Sequence, residues 1–419
     1  MSFRDEAVLS FEATGESAGR GVVEVAPGVR LLRCAIVMGA NASGKTNLLL
    51  ALDFLCNFWR RRPASVSQEI EVIPFLLDEQ SRNEPTEFAL TFFVDATKYA
   101  YHLKLTPQHV EREELKVYRS SVQPSLLLRR TWQAGQSVVT YGRSVRIGKA
   151  ERMEITAKCL PNMSFFAARD QVNVLLPEID KARDWLTTCL PKQVPADARR
   201  DDHVLSLAES GDGAGGKAYL LDFARAADFN ISDMQVRHGK VPAPKGLIDL
   251  LSQREDIPHA ERERLRHEGT VNMRELVFTH RVAAQQGETF YELPARLQSR
   301  GTTIALRVEA LVYQALQRGM LLHIDEMDTS LHPELMEMVL RRFLDADSRA
   351  QLLITVHYDP LLDMAGSLLR KDMFWFTEKA PDGASQLFAL VEFNDLNRIS
   401  SLQRAYRLGR FGALPNIDN

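Results

Sequence analysis

The first sixty residues alternate short apolar runs with polar turns. Apolar and polar positions alternate over 6–11 and 22–25, whereas 31–38 is almost continuously apolar, as is typical of a buried central strand. After Gly39, residues 47–59 repeat apolar positions with a helical period. The order predicts two short strands, a buried strand, a loop and a helix with a broad buried face.

From residue 70 to about residue 147 the apolar period changes to two. Residues 87–92 and 98–105 each alternate between apolar and polar, and the turn sequence 95–97 separates them, which predicts a β-hairpin. Further strand candidates lie at 114–118, 126–132 and 138–147. We therefore expect an antiparallel β lobe over 61–150, inserted after the first helix.

The next part of the chain, 151–290, is more polar and is expected to be mainly helical. Within it, 211–216 is a glycine-rich loop, and 254–268 is a charged stretch typical of a solvated helix or a mobile connector. An α/β pattern then returns. Its elements are a helix at 303–317, a strand at 320–324, a helix at 334–343 and a strand at 351–356. We predict one discontinuous α/β domain, with halves at 1–60 and 291–419.

Composition narrows the function classes. The chain has 419 residues, is 45% hydrophobic and 26% charged, and carries a formal net charge of −3, so no global positive field favours DNA or an anionic membrane. Its four cysteines lack the spacing of a zinc site or a disulfide framework, which favours a reducing cytoplasm. The early apolar stretch 48–59 is too short and too polar for a bilayer, and the N-terminus lacks a signal peptide pattern. We expect a cytoplasmic protein without membrane contact.

Residues 39–46, GANASGKT, match the phosphate-loop pattern GxxxxGK[ST] between an apolar strand and a helix. Glycines let successive backbone N–H groups turn towards phosphate oxygens, and the helix adds its positive N-terminal end. Lys45 is expected to reach the β- and γ-phosphates, and the Thr46 hydroxyl to bind Mg²⁺. The predicted ATP-binding residues are Gly39, Asn41, Ala42, Ser43, Gly44, Lys45, Thr46 and Asn47.

A carboxylate pair, Asp325 and Glu326, follows the predicted strand 320–324 at the edge where α/β sheets bind ligands. Asp325 would hold Mg²⁺ through its water shell, and Glu326 would act as general base towards the attacking water. An apolar run before Asp-Glu is common by itself. We interpret this pair as functional because the same chain contains the phosphate loop. His323, inside the strand, is expected to be a core residue rather than a ligand.

Two further elements have weaker signals. The strand 351–356 delivers His357 at its end, a candidate contact to the γ-phosphate. Ser299, Gly301 and Thr302 precede the helix 303–317, where a serine hydroxyl and free N–H groups make either an anion site or an ordinary helix cap. Residues 328–332 are predicted to form the loop before the helix that Pro333 begins.

These elements in this order resemble the ABC-type ATPase head shared by transporters and by SMC and RecF proteins. More specifically, the chain resembles AAA-type, ABC-like ATPases of bacterial phage-defence and abortive-infection operons, such as the RloA, AbiLi and PARIS ATPase components. The matching segments are FRDEAVLSF at Phe3, GANASGKTNLLLAL at Gly39, PTEFALTFF at Pro85, LQSRGTTIAL at Leu297, HIDEMDTSLHPEL at His323, QLLITVHYDPLLD at Gln351, KDMFWFTEK at Lys371 and YRLGRFGALP at Tyr406. The expected fold is an ABC-type P-loop ATPase head with an inserted antiparallel β lobe and a helical insertion.

The resemblance also implies residue roles and partners. It implies Mg²⁺-dependent ATP hydrolysis between two heads, in a homodimer or higher oligomer, with a separately encoded effector that is often a TOPRIM-type nuclease. The roles carried over are triphosphate and Mg²⁺ binding by Lys45, Thr46 and Asp325; catalysis by Glu326 and Lys45; the switch at His357; a trans signature of Ser299, Gly301 and Thr302; and an inter-subunit loop with Asp328 and Ser330.

This sequence departs from the family pattern at two places. Gln298 stands where relatives often have glutamate, and relatives usually have a longer first strand, so no adenine contact is assigned to the N-terminus. The glutamine that senses Mg²⁺ in relatives is not identified.

Two functions remain in competition at this point. The first is a sensor and scaffold ATPase of an antiphage system, which holds a separate effector until a phage-encoded trigger arrives; no TOPRIM, HNH or PD-(D/E)xK pattern occurs in the chain itself. The alternative is an SMC/RecF-like repair ATPase that clamps DNA, which the near-zero charge and the lack of long coiled-coil arms disfavour. A transporter subunit is also disfavoured, and nucleic-acid binding is left open.

Overall fold

A computed structural model describes residues 2–15, 20–119, 123–190, 201–209, 215–254, 259–285 and 287–414. The chain divides into two compact units. The first unit comprises Met1–Ala196, Gln314–Thr329 and Met336–Asn419, and the second comprises Asp197–Tyr313 and Ser330–Leu335. This division does not coincide with the predicted boundaries at 60, 150 and 290.

The described residues form both strands and helices along most of the chain. The strands are β1 (Val22–Ala26), β2 (Val29–Leu32), β3 (Cys34–Gly39), β4 (Thr86–Val94), β5 (Thr97–Leu105), β6 (Val110–Tyr118), β7 (Ser125–Gln133), β8 (Gln136–Tyr141), β9 (Ile231–Pro242), β10 (Thr270–Ala284), β11 (Gly287–Pro294), β12 (Leu321–Ile324), β13 (Gln351–Thr355), β14 (Phe374–Lys379) and β15 (Ser385–Ala389). The helices are α1 (Lys45–Phe58), α2 (Lys149–Lys158), α3 (Phe165–Arg169), α4 (Pro177–Cys189), α5 (Asp202–Glu209), α6 (Gly216–Ala226), α7 (Lys245–Ser252), α8 (His259–Glu268), α9 (Arg300–Arg318), α10 (Met327–Ser330), α11 (Pro333–Asp345) and α12 (Leu402–Arg407).

The first unit is organised around a five-stranded sheet in the order β12-β13-β3-β14-β15. Strands β12, β13, β3 and β14 are parallel, and β15 is antiparallel to β14. All six residues of β3 are buried, which confirms the prediction of a central buried strand. Because the four parallel strands point the same way, their carboxyl ends meet at one edge of the sheet.

One face of this sheet packs against α1. Ala35 and Val37 of β3 form a cluster with Leu49 of α1, Leu353 of β13 and Trp375 of β14. Alternate residues of a strand share a face, so the threonines two positions beyond Leu353 and Trp375 lie on this same face, at the carboxyl edge. Packing is therefore apolar along the strands and polar where they end.

The predicted buried strand 31–38 is confirmed only from Cys34 onwards, and the strand predicted at 6–11 is wrong. The run 31–38 is interrupted at Arg33, whose buried guanidinium donates hydrogen bonds to the carbonyls of Leu344 and Ala346 at the end of α11. The strand predicted at 6–11 does not form: in the described segment 2–15, backbone hydrogen bonds to β2 occur at Phe11 and Ala13, and no ladder forms before them.

The predicted β lobe is confirmed as a five-stranded antiparallel sheet in the order β4-β5-β6-β7-β8. A buried polar network crosses its inner side. Arg130 and Glu113 are fully buried 3.5 Å apart, and Tyr101 Oη donates to Glu113 Oε1 at 2.9 Å. Glu113 Oε2 also accepts the backbone N–H of Phe165 at 2.8 Å, which ties α3 to the sheet.

Helices α2 to α4 share the hydrophobic core of the β lobe. Phe165, Ile179 and Leu186 are fully buried in the same cluster as Tyr101 and Leu103. Trp185 of α4 also stacks on Phe92 of β4, with ring centroids 4.6 Å apart. These helices therefore belong with the first unit.

The second unit contains α5 to α8 and a three-stranded antiparallel sheet in the order β11-β10-β9, which the sequence did not predict. Its strands lack regular alternation because few of their side chains are buried: only Ile231 and Met234 of β9, and 276–278 of β10. The predicted loop at 211–216 lies mostly outside the described residues. In the described part of 254–268, α8 is helical, as one of the two interpretations predicted. No described helix combines the length and apolarity needed to cross a membrane.

Candidate functional site

The phosphate-loop sequence joins the end of β3 to the start of α1, as predicted. Three of its residues have positive φ: Gly39 at 151°, Ala42 at 60° and Gly44 at 110°. Gly44 precedes α1 without a side-chain cap, so the first N–H groups of the helix are left for an external anion. A Cβ at Gly39 would collide with the carbonyl and hydroxyl oxygens of Thr377, so the loop can approach β14 only because this residue is glycine.

Lys45 is buried inside the loop. Its Nζ donates to the carbonyl oxygens of Gly39 at 2.8 Å and Ala40 at 2.9 Å, which leaves one N–H for another acceptor. Burial lowers the pKa of Lys45, while the nearby carboxylates of Glu326, Asp325 and Asp328 act in the opposite direction. The ammonium therefore lies within electrostatic reach of the carboxylates that the sequence singled out.

The other predicted ATP-binding residues differ in how much of their side chain is available. Ser43 is buried and its Oγ lies 2.6 Å from Thr377 Oγ1, and Asn47 Nδ2 donates to Ser2 Oγ. Asn41, Ala42 and Thr46 are exposed. The side chains of Ser43 and Asn47 thus already have partners within the protein. These residues would bind a phosphate through their backbone N–H groups. Their role in ATP binding stays a prediction.

The carboxylate pair directly follows β12. Thr355 Oγ1 donates to Asp325 Oδ1 at 2.5 Å and accepts the backbone N–H of Glu326 at 2.8 Å. Glu326 has φ of 48°, a left-handed conformation that costs a non-glycine residue about 1–3 kcal/mol and persists only where its surroundings impose it. The turn directs the Glu326 side chain outwards, where it is 51% exposed.

His357 and Asp328 lie next to the carboxylate pair in the same chain. His357 Nε2 lies 3.8 Å from Glu326 Oε1, and the backbone N–H of His357 donates to Asp328 Oδ2 at 2.8 Å. Asp328 lies in the single-turn helix α10, so the prediction of a loop from 328 is wrong in its first residues. Ser330 ends α10, and its side chain is not among those that the structure describes. The inter-subunit role of both residues stays a prediction.

His323 is a core residue, as the sequence indicated. Its side chain is fully buried in β12, and Nε2 lies 3.0 Å from Asp53 Oδ1 of α1. A polar pair thus links the helix after the phosphate loop to the strand that carries the carboxylates. The sequence analysis did not identify Asp53, Thr355 and Thr377 as site residues. The signal that could have found them is a polar residue in an apolar setting: Thr355 and Thr377 follow apolar strand residues, and Asp53 lies in a mainly apolar helix.

The Ser-Gly-Thr element belongs to the second unit. Ser299 Oγ accepts the backbone N–H of Thr302 at 3.0 Å and lies 2.8 Å from Thr302 Oγ1, the pattern of a helix cap at the start of α9. Gly301 is exposed, and a Cβ there would meet nothing closer than Ser299 Oγ at 3.9 Å. Gln298 Nε2 lies 2.7 Å from His280 Nε2. The trans role of this element stays a prediction.

The oxygen donors of the first unit fit Mg²⁺. Asp325 offers a carboxylate whose second oxygen is not used by Thr355, and Thr46 offers an exposed hydroxyl. No group of three or more His, Cys, Asp or Glu suited to a metal occurs among the described residues. A sparse set of hard oxygens suits Mg²⁺, which usually keeps several waters and binds through one or two carboxylates together with substrate phosphates.

Comparison with protein families gives one match. A family model described as "AAA domain, putative AbiEii toxin, Type IV TA system" matches residues 34–141 and 212–364, which is more than half of the chain. The matched segments contain the phosphate loop, the Ser-Gly-Thr element, the carboxylate pair and His357.

Several solved structures are similar at low identity. The SMC head domain from Thermotoga maritima is 11% identical, with 84% of this chain and 89% of that chain covered and a TM-score of 0.35. An Smc head bound to the C-winged helix domain of ScpA is 14% identical, with coverages of 90% and 94% and a TM-score of 0.34. The recombination mediator RecF-ATPrS is 13% identical, with coverages of 86% and 94% and a TM-score of 0.27. A search among curated proteins finds no match.

Proposed function

The chain belongs to this AbiEii-type AAA domain family and is a P-loop ATPase of the AAA/ABC class, and from that premise we propose that it hydrolyses ATP to operate a phage-defence system. The observation that carries the proposal is that the parallel strands β3 and β12 end at the same edge of the sheet, so that the phosphate loop with the buried Lys45 and the carboxylates of Asp325 and Glu326 follow strand ends at that edge. A cation for phosphates and a base for water are the two groups that hydrolysis of a triphosphate needs.

The chemistry follows from the positions of these side chains. The loop N–H groups and Lys45 hold the β- and γ-phosphates, and the exposed carboxylate of Glu326 accepts a proton from the water that attacks the γ-phosphorus. The bond from the γ-phosphorus to the bridging oxygen breaks, which gives ADP and phosphate. Thr46 and Asp325 would hold Mg²⁺, which neutralises phosphate charge when bound. His357, beside Glu326, would contact the γ-phosphate.

We place the complete site between two copies of the chain. Ser299, Gly301 and Thr302 of one copy would close over the ATP held by the loop of the other, with Asp328 and Ser330 at the same interface. The exposed start of α9 supports this role, because its positive end and the open space at Gly301 suit an anion.

Mixing two inactive variants tests this arrangement. Lys45→Ala and Gly301→Asp should each hydrolyse little ATP alone, because the first lacks the loop cation and the second places a carboxylate beside the phosphates. Asp in a first helical turn favours the helix, so Gly301→Asp should fold. Random pairing leaves one intact site in each mixed dimer, so the mixture should recover about a quarter of the wild-type rate of phosphate release. A mixture as inactive as its components would contradict the sharing of sites.

The defence role rests on the family, whose description names a toxin of a type IV toxin–antitoxin system. We propose that the ATPase senses a phage-encoded trigger and controls a separately encoded effector, with a TOPRIM-type nuclease as the first candidate.

Expression of the chain with its neighbouring genes should lower phage plaque counts, and Lys45→Ala should abolish the protection, because it removes the cation that holds the phosphates. A tagged Glu326→Gln chain should retain the neighbouring gene product during purification. Full protection by Lys45→Ala would show that defence does not depend on ATP binding by this chain, and would contradict the proposal. Steep, salt-dependent binding to duplex DNA in the ATP state, without a protein partner, would instead favour a DNA clamp.

A further inference from the structure

We infer that two buried threonines, Thr355 and Thr377, position the two halves of the site separately: Thr355 sets the carboxylates and Thr377 sets the phosphate loop. The inference rests on the proposed ATPase function. The sequence assigned no role to either residue, and neither is exposed to a ligand, since both side chains are fully buried. They are positioning residues.

Thr355 ends β13, between the strand of the carboxylates and the strand of the loop. Its hydroxyl makes two hydrogen bonds with the residues that directly follow β12. It donates to Asp325 Oδ1 and accepts the backbone N–H of Glu326. The first bond fixes the orientation of the Asp325 carboxylate. The second holds the left-handed turn at Glu326 that directs its side chain outwards. A single group thus determines where both carboxylates lie.

Thr377 has the equivalent place on the other side of β3. It lies opposite Gly39 in the parallel pair of β14 and β3, whereas Thr355 lies opposite Val37. Its Oγ1 is 2.6 Å from Ser43 Oγ and donates to the Met38 carbonyl at 3.3 Å. Ser43 is itself buried in the middle of the loop, so this contact holds the loop at its centre as well as at Gly39.

The hydroxyls, rather than the size of the side chains, distinguish these two positions from the apolar residues behind them. Both lie on the sheet face that packs on α1, two residues beyond Leu353 and Trp375. Valine has nearly the same shape and β-branching as threonine, so it would fill the same space and favour the same strand. Replacement by valine therefore removes the positioning bonds and leaves the packing.

The two Thr→Val variants are matched controls for each other, because the residues share burial, sheet face and chemical change. Thr355→Val should lower kcat about 10–100-fold while the affinity for a fluorescent ATP analogue stays within about threefold. Thr377→Val should weaken that affinity about tenfold while kcat at saturating ATP stays within about threefold. The measurements are phosphate release against ATP concentration and equilibrium titration of the analogue.

Thr→Ser at each position keeps the hydroxyl and should keep both parameters within about threefold of wild type. Equal losses of kcat and affinity in both valine variants, or serine variants with the defects of valine, would overturn the inference. If a valine variant fails to fold, the Thr→Ala and Thr→Ser variants at that position are compared instead. The same criterion applies, namely whether kcat or the affinity for the analogue is lost. A wild-type chain that neither binds the analogue nor releases phosphate would instead contradict the proposed function.

Discussion

Replacing Glu326 with glutamine is expected to lower ATP hydrolysis at least about 100-fold and to leave ATP affinity within about threefold. The amide has the size of the carboxylate but takes no proton from water at neutral pH. The bond from the residue-326 backbone N–H to Thr355 is independent of the side chain, so the left-handed turn should persist. The loop and Lys45 are unchanged, and two heads should therefore remain closed around unhydrolysed ATP.

Phosphate release and size-exclusion chromatography with ATP measure the two effects of Glu326→Gln. Glu334→Gln is a suitable control, because Glu334 is an exposed acid in the first turn of α11 and has no assigned role. Normal hydrolysis by Glu326→Gln would remove Glu326 from the base role. Loss of binding together with hydrolysis would show that the carboxylate acts mainly on the structure of the site.

Lys45→Ala is expected to weaken ATP binding at least about 100-fold, which is the second large effect. The ammonium is buried, which lowers its pKa, and the charges of Glu326, Asp325 and Asp328 oppose that shift. Its removal deletes the cation that holds the phosphates, and it also leaves the repulsion between these carboxylates and a triphosphate without compensation. The carbonyls of Gly39 and Ala40 lose their donor as well, so the loop should relax.

Titration of a fluorescent ATP analogue measures the loss in Lys45→Ala. Lys158→Ala is the matched control, because it removes a lysine whose ion pair with Glu154 lies at the surface. Unchanged affinity in Lys45→Ala, or an equal loss in both variants, would contradict the assignment of the phosphate loop.

The sequence predicted those parts of the site that a local motif determines. The loop 39–46 and the pair Asp325–Glu326 are recognisable because glycines, a lysine and carboxylates are needed at fixed spacing next to apolar strands. The β lobe was predictable for a similar reason, since its strands alternate between a buried and an exposed face.

The missed features depend on partners far away in the chain. The roles of Thr355 and Thr377 follow from strand register, which places them opposite Val37 and Gly39, and no local pattern gives that register. Likewise, His323 contacts Asp53 only because β12 and α1 meet on one sheet face.

The strand order has a consequence for how the protein folds during synthesis. Strand β3 is made before both of its neighbours in the sheet, because β13 and β14 are more than 300 residues further along the chain. At about 5–20 residues per second, the ribosome needs roughly 15–60 s to cover that distance. Throughout this time β3, all of whose residues are buried in the folded chain, is without its neighbours, while the β lobe, whose contacts are local, is free to fold first. The nascent chain therefore presents an apolar segment to chaperones and proteases until the sheet closes.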